Sequence, residues 1–154
     1  MSTLKDTLRS DLTASMKARD TTRSATLRMA LTAVTTAEVA GDTAVELTDD
    51  DVLKVLAKEA KKRKEAATAY RDAGRAELAD QEVAELAILE GYLPAQLTDD
   101  ELEELVRRAV GQTGATGMAQ MGQVMKAVQP LVAGRADGGR VSGVVRRLLV
   151  ADTR

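Results

Sequence analysis

Apolar residues recur every three or four positions along most of the chain, which is the spacing of one buried face of a helix. The first such segment covers about residues 3–20 and the second about residues 23–40. A third begins after Thr48, and a fourth covers about residues 75–90. The link at Gly74 is so short that the third and fourth helices either pack as antiparallel neighbours or continue as one bent helix.

The stretch at residues 85–101 divides the chain. Gly91 is predicted to take the left-handed conformation that ends many helices, and Pro94 prevents the helix from resuming at once. Thr98 is a natural helix N-cap, and Glu101 three residues later completes a capping box. A new helix is therefore predicted to start at this point.

Three helices are predicted after this division, at about residues 99–112, 118–129 and 140–150. Pro130 is interpreted as a sign that the second of them ends nearby. The chain is therefore predicted to be an all-α protein, because helical periodicity covers most of it.

The predicted organisation has an N-terminal helical bundle of about four helices at residues 1–92 and a three-helix module at residues 98–154. A linker at residues 93–97 joins them. Leu93 and Leu97 are apolar residues outside any helix, so we expect them to hold this linker against a surface.

Composition narrows the possible chemistry. The 154 residues include no cysteine and no histidine, which excludes disulfides, cysteine nucleophiles, histidine bases and nearly all transition-metal sites. No metal and no cofactor are therefore expected. Residues 2–10 are mostly polar, no apolar segment of a signal peptide follows, and no apolar run reaches membrane-spanning length, so a cytoplasmic location without a membrane partner is expected.

Charge is distributed unevenly. Residues 113–154 contain six basic side chains against two acidic ones, whereas the net charge of the whole chain is −2. A basic tail can bind an anionic partner, a protein surface or only solvent. Because the tail has no aromatic residue to stack on bases, RNA recognition would be by shape and backbone. The residues predicted to contact RNA are Lys126, Arg135, Arg140, Arg146 and Arg147.

The third helix carries a stripe of basic residues and, separately, Arg63. The stripe covers about 100° of the helix surface, and it is either a solvated face or a secondary phosphate-contacting surface. Arg63 instead falls on the apolar face, so we predict a structural ion pair with a carboxylate of another helix. The stripe consists of Lys54, Lys58, Lys61 and Lys62, and the carboxylates considered for Arg63 are Glu38, Glu82 and Glu85.

Six short motifs in one order resemble a stand-alone protein of the GatB/YqeY family over essentially the whole chain. They are TLRM at 26–29, KEAKKRKEA at 58–66, ELAILE at 85–90, YLPAQL at 92–97, GQVM at 122–125 and GRADG at 134–138. The resemblance implies an all-α fold and a C-terminal module similar to the tail of the B subunit of glutamine-dependent tRNA amidotransferase. That tail is understood to bind tRNA. The resemblance also implies an association with glutamine-dependent carbon–nitrogen ligation.

Independent catalysis is not expected from the residues. Glutamine hydrolysis needs an activated nucleophile, and the five serines lack the glycine- and serine-rich surroundings of an amidase. The glycines at 111, 114 and 117 follow a helix and are interpreted as helix breakers, not as a phosphate-binding loop. No catalytic residue is therefore assigned.

The favoured hypothesis is a non-catalytic module that binds tRNA or another structured RNA, with no DNA partner expected. The first alternative is a helical protein–protein adaptor whose basic tail meets an acidic partner. The second alternative is a subunit of an amidotransferase-type ligase, in which amidotransferase subunits would be the partners.

Overall fold

The computed structural model describes residues 3–152, and all regular secondary structure in this range is helical. The all-α prediction is therefore confirmed. Ser2 and Arg154, which belong to the serines and the basic tail considered above, lie outside the described residues. The helices are α1 (Leu4–Lys17), α2 (Thr21–Glu38), α3 (Asp49–Asp72), α4 (Ala76–Glu90), α5 (Asp99–Thr113), α6 (Met121–Val132) and α7 (Gly138–Asp152).

Short polar side chains start several of these helices. Each accepts a hydrogen bond from a backbone amide three residues later, which satisfies one of the unpaired donors at a helix start. Capping boxes are complete at Thr3 with Asp6 and at Thr98 with Glu101, so the capping box predicted for α5 is confirmed. The N-cap residues are Thr3, Asp20, Thr48 and Thr98.

The prediction for Gly91 was wrong. Gly91 has φ −61° and ψ −21°, which is right-handed backbone that any residue adopts. The backbone amides of Tyr92 and Leu93 still bond back to carbonyl oxygens of the last turn of α4. A Cβ at Gly91 would lie 3.2 Å from the Ile88 carbonyl oxygen, a tight contact that a shift of a few tenths of an ångström would relieve, so the backbone here does not require glycine.

Gly111 was also interpreted wrongly as a helix breaker, because it lies inside α5. The helix continues through Gly111 because Val106 and Ala109 on the preceding turn are fully buried in the core, and that burial offsets the cost of a helical glycine, about 1 kcal/mol. The chain leaves α5 at Gly114, which has φ 66°. Gly74 between α3 and α4 has φ 74°, and both glycines supply the left-handed conformation at low cost.

The sixth helix begins and ends later in the chain than the predicted range of about residues 118–129. Residues Met118–Gln120 form a separate 3₁₀ turn, and α6 runs from Met121 to Val132 with Pro130 inside its last turn. Val128 and Val132 are both buried, so packing of the last turn keeps the helix going for two residues beyond the proline.

The chain divides into two compact units, the first ending at Leu93 and the second beginning at Pro94. In the first unit, α3 and α4 pack as antiparallel neighbours: Arg63 lies near Glu85, and Lys64 lies near Glu90. The alternative of one bent helix is thereby excluded. The core of this unit is aliphatic and consists of Leu8, Leu27, Ala30, Val34, Val52, Leu56, Ala60 and Leu89, with Leu93 packed against it.

The second unit is built from α5, α6, α7 and the 3₁₀ turn. Its core is formed by one stripe from each helix, and Leu97 ahead of α5 is part of it, with 4% of its surface exposed. The two leucines of the predicted linker therefore pack on different cores, Leu93 on the first and Leu97 in the second. The largest buried side chains of the second unit are Leu102, Val106, Val124, Val128, Val132 and Leu149.

Within residues 3–152, none of the helices combines the length and the apolar character that crossing a bilayer requires.

Candidate nucleic-acid interface

The basic residues predicted to contact RNA all lie in the second unit, where they fall into two groups. Arg135 and Arg140 are half-buried and bond to the protein itself, whereas Lys126, Arg146 and Arg147 are exposed. The difference follows from position, because the first pair flanks the loop between α6 and α7 and the other three lie on outer helix faces.

Arg135 closes the C-terminal end of α6. Its Nε donates to the carbonyl oxygen of Val132 at 3.2 Å, and its Nη2 donates to that of Leu131 at 3.3 Å. The last carbonyls of a helix lack partners within the helix and carry partial negative charge. The guanidinium of Arg135 is therefore engaged in a helix cap.

Arg140 joins the start of α7 to the start of α5. Its Nη2 donates to the Leu97 carbonyl oxygen at 3.0 Å and to Asp99 Oδ1 at 3.0 Å. The Leu97 amide in turn donates to the Arg135 carbonyl oxygen at 2.8 Å. The backbone amide of Arg140 donates to Asp137 Oδ1 at 2.9 Å, so Asp137 caps α7. Arg135 and Arg140 are thus brought together at Leu97.

Two arginines, one on α5 and one on α7, share a single carboxylate of α5. Arg107 Nη2 lies 2.7 Å from one carboxylate oxygen of Glu103, and Arg147 Nη2 lies 3.3 Å from the other. Hydrogen bonds from Arg107, and then from Arg147, lower the pKa of Glu103. One carboxylate therefore serves two guanidinium groups, which leaves this cluster of three side chains with a net positive charge.

Three further cations of this unit have no carboxylate or side-chain hydrogen-bond partner among the described residues. Arg108 lies on α5, Lys126 on α6 and Arg146 on α7, and all three are exposed. Arg146 precedes Arg147 in α7 and is separated from it by about 100° of helix rotation, so the two side chains point in different directions. The structure does not gather the five predicted residues into a single cluster.

The lysine stripe of the first unit is exposed on α3. Lys62 Nζ lies 3.2 Å from Glu59 Oε1, whereas Lys54, Lys58 and Lys61 have no carboxylate within ion-pair distance in the part of the chain that the structure describes. Lys58 and Lys62 line a groove between α2 and α3, whereas Lys54 and Lys61 are not part of its lining. Two lysines of the stripe therefore border a groove, and the other two do not.

Arg63 is buried, with 5% of its surface exposed. Its Nη1 bonds to Glu59 Oε2 at 2.5 Å, and its Nε lies 3.7 Å from Glu85 Oε2 without forming a hydrogen bond. Glu85 was among the predicted partners, whereas Glu59 was overlooked. The signal for it was present, because residues four apart on a helix face each other.

The other two carboxylates considered for Arg63 do not pair with it. Glu38 accepts a hydrogen bond from Lys5 Nζ at 2.6 Å and another from the Leu47 amide at 3.2 Å. These bonds, in that order, lower the pKa of Glu38. Burial, followed by the Glu85 charge, raises the pKa of Glu82. Of the three candidates, Glu85 is therefore the one within ion-pair distance of Arg63, whereas Lys5 engages Glu38 and the charge of Arg63 only partly offsets the raised pKa of Glu82.

Tyr92 anchors the end of the first unit, which sequence reasoning missed. Its hydroxyl donates to Asp11 Oδ2 at 2.5 Å and accepts from Arg23 Nη2 at 3.1 Å. Burial, followed by the hydrogen bond to Asp11, raises the pKa of Tyr92 to about 12. A buried tyrosine hydroxyl needs a partner, but nothing in the sequence pattern points to residues about 70 and 80 positions earlier.

Three of the described serines form hydrogen bonds within the fold. Ser15 and Ser24 bond to each other at 2.8 Å in the interior, and Ser142 bonds to the Gly139 carbonyl oxygen. Across residues 3–152, no group of three acidic side chains could hold a metal ion.

Comparisons with known proteins extend over most of the chain. A family model described as "Yqey-like protein" matches residues 5–149. A protein of Schizosaccharomyces pombe described as uncharacterized is 37% identical over 92 residues, which cover 59% of this chain and 72% of that protein.

Proposed function

The chain belongs to the YqeY-like family, and from that premise we propose that it is a tRNA-associated accessory protein. In this proposal the second unit binds structured RNA through its exposed cations, and the protein carries out no reaction alone. The proposal combines the resemblance to the amidotransferase tail with the charge arrangement of α5, α6 and α7.

The observation that carries the proposal is the shared carboxylate Glu103. Two guanidinium groups lie on it, and Arg108, Lys126 and Arg146 have no carboxylate partner in the described structure. Unneutralised arginine and lysine side chains supply sequence-independent affinity for phosphate backbones through release of counterions. A surface of this kind favours an anionic polymer over a neutral partner.

The mode of binding follows from what this unit lacks. Its sequence from Pro94 onward contains no aromatic residue, so bases cannot be stacked on rings. Phosphate contacts and the shape of a folded RNA are then the features to recognise. Arg135 and Arg140 would contribute indirectly, by fixing the loop before α7 through their bonds to backbone carbonyls.

The test is a salt titration of binding between the purified protein and bulk tRNA. Changing Lys126, Arg146 and Arg147 together to alanine should weaken binding strongly. The salt dependence, plotted as log K against log salt concentration, should become shallower by about 1 for each phosphate that the variant no longer neutralises. Arg135 and Arg140 stay unchanged, because their removal would disturb the fold.

The matched control removes three exposed lysines of the first unit that also lack a described carboxylate partner, Lys17, Lys54 and Lys61. It should leave tRNA affinity and its salt dependence almost unchanged. If this control loses binding instead, the RNA surface lies on the first unit. If the unmodified protein does not bind tRNA even at low salt, the proposal is overturned.

The link to amide transfer is a separate part of the proposal. The chain has neither cysteine nor histidine, and its serines lack amidase-like surroundings, so in this proposal partner subunits supply glutamine hydrolysis. Stoichiometric co-purification with amidotransferase subunits would support membership of such a complex. Specific tRNA binding without co-purification would restrict the function to RNA association.

A further inference from the structure

An open groove of about 680 Å³ lies between α2 and α3 in the first unit. Its walls are largely apolar or small, and they include Met29, Ala33, Ala37 and Val55. Met29 is 49% exposed although it is a large apolar side chain. A concave apolar surface on a monomer is typical of an interaction site.

The rim of this groove is positively charged on both sides. Arg28 lies on the α2 wall, and Lys58 and Lys62 lie one turn apart on the α3 wall. The described polar contact of Arg28 is with Met16 Sδ at 3.0 Å, and Lys58 has no carboxylate within ion-pair distance in residues 3–152.

The one carboxylate that lines the groove is already engaged. Glu59 lies within ion-pair distance of both Lys62 and the buried Arg63. Its charge therefore does not neutralise the other rim cations. A ligand that brings carboxylates to both walls would satisfy Arg28 and Lys58, neither of which has a carboxylate partner within the described range.

We propose that this groove binds an amphipathic helix of a partner protein, with apolar residues facing α2 and α3 and aspartate or glutamate along both flanks. The alanines of the α2 wall allow a helix backbone to approach closely, and helix-in-groove binding matches apolar anchors with complementary flanking charge. A nucleic acid would place phosphates near the rim cations but would bury little against the methionine and alanine surface, and no aromatic side chain lines the groove. This proposal is independent of RNA binding by the second unit.

The probe is a synthetic helix held in shape by side-chain bridges on its outer face, with leucine and alanine inward and glutamate on both flanks. Pre-forming the helix removes its ordering cost. The matched probe has the same apolar face and bridges but lysine flanks. Fluorescence anisotropy at low and high salt should show binding of the acidic helix alone, weaker at high salt. The methyl signals of Met29 and Ala33 should shift on binding.

Two pairs of variants locate the site. Arg28→Glu with Lys58→Glu should weaken binding of the acidic helix about tenfold or more, whereas Lys54→Glu with Lys61→Glu makes the same charge change outside the groove and should alter it by less than about twofold. Ala37→Leu should block the groove, and the control Ala25→Leu places the same bulk on an exposed part of α2.

Circular dichroism and thermal unfolding verify that each variant is folded. The proposal is overturned if the two charge-reversal pairs weaken binding equally, if both probes bind alike, if the acidic helix does not bind at low salt, or if the groove methyl signals stay unmoved. Equal loss in Ala25→Leu and Ala37→Leu would also overturn it. Because variants of α7 should not affect this probe, failure here leaves the RNA test unaffected.

Discussion

In the unit that ends at Leu93, five polar or charged side chains are buried among the helices, whereas the buried residues of the described part of the unit that begins at Pro94 are leucine, valine and alanine. The first unit thus uses part of its charge internally, and the second keeps its cations at the surface or on backbone carbonyls. The buried polar and charged residues are Ser15, Ser24, Thr26, Glu38 and Arg63.

Charge therefore has a different function in each unit. A buried charge must find its partner within the fold, because removal from water costs several kcal/mol. Surface cations carry no such constraint, and those without a described carboxylate partner remain available to a ligand. The predictions below test this difference, beginning with the change expected to be largest.

Arg63→Leu should lower the free energy of unfolding by about 4 kcal/mol, because Glu59 and Glu85 lose their buried partner. Chemical denaturation followed by circular dichroism measures the change. Lys62→Leu is the control, since it removes an exposed neighbour and should change stability by less than about 1 kcal/mol. Equal stability of the two variants would contradict an internal role for the charge of Arg63.

Arg140→Ala should cost about 1.5 kcal/mol, because the part-buried Leu97 carbonyl oxygen loses a charged donor. The bond to the exposed Asp99 adds little. Denaturant unfolding measures the effect. Arg146→Ala has no described partner to lose and should remain near the parent. If both variants unfold alike, Arg140 is a surface cation like the others.

Tyr92 makes the first unit sensitive to alkali. Its pKa is raised from 10 to about 12 in the folded protein, so the neutral hydroxyl is favoured by folding. Its contribution to stability is complete below pH 10 and is lost as the pH rises to about 12. Tyr92→Phe should be less stable at neutral pH and should lose part of this alkaline decline in unfolding midpoint. An unchanged alkaline decline in Tyr92→Phe would contradict the contribution of the Tyr92 contact. The control is Tyr70→Phe, which removes a hydroxyl with no described hydrogen bond and should retain the full alkaline decline.

Glu103→Gln should have the smallest effect, an increase in tRNA affinity of about twofold to threefold. The substitution releases Arg107 and Arg147 from their shared carboxylate and adds at most a few tenths to one kcal/mol of binding free energy. The control is Glu104→Gln, which removes the same charge from an exposed position without a described cation partner. An equal gain from both would show that net charge, and not the shared carboxylate, sets affinity.

Local sequence signals predicted most of the fold. The helix periodicity follows from burial of one face, and the Thr98–Glu101 box follows from hydrogen bonds three residues apart. The failures occurred where tertiary packing decides the backbone. Gly111 stays helical and α6 passes Pro130 because the residues around them are buried.

The candidate site was less accessible from the sequence. The position of Arg63 on a buried face could be read from its spacing, but the choice of Glu85 over Glu38 depends on how separate helices pack. The same holds for Arg135 and Arg140, whose carbonyl partners exist only once the loop before α7 is folded. The sequence shows which residues are cationic, whereas the fold decides whether their side chains are available to contact a ligand.

The pairing of Arg63 with Glu85 also bears on alignment of the helical hairpin. The buried face of α3 includes Ala60 and Ala67, and small, similar side chains would tolerate sliding of α3 past α4 by one turn. Such a slip would take Arg63 away from Glu85 and leave Glu59, on its own helix, as its counter-charge, which weakens the ion pair of a buried side chain. We therefore expect the hairpin to have a single register, and replacing Glu59, Arg63 and Glu85 together by apolar residues should retain or raise stability while broadening its amide NMR signals.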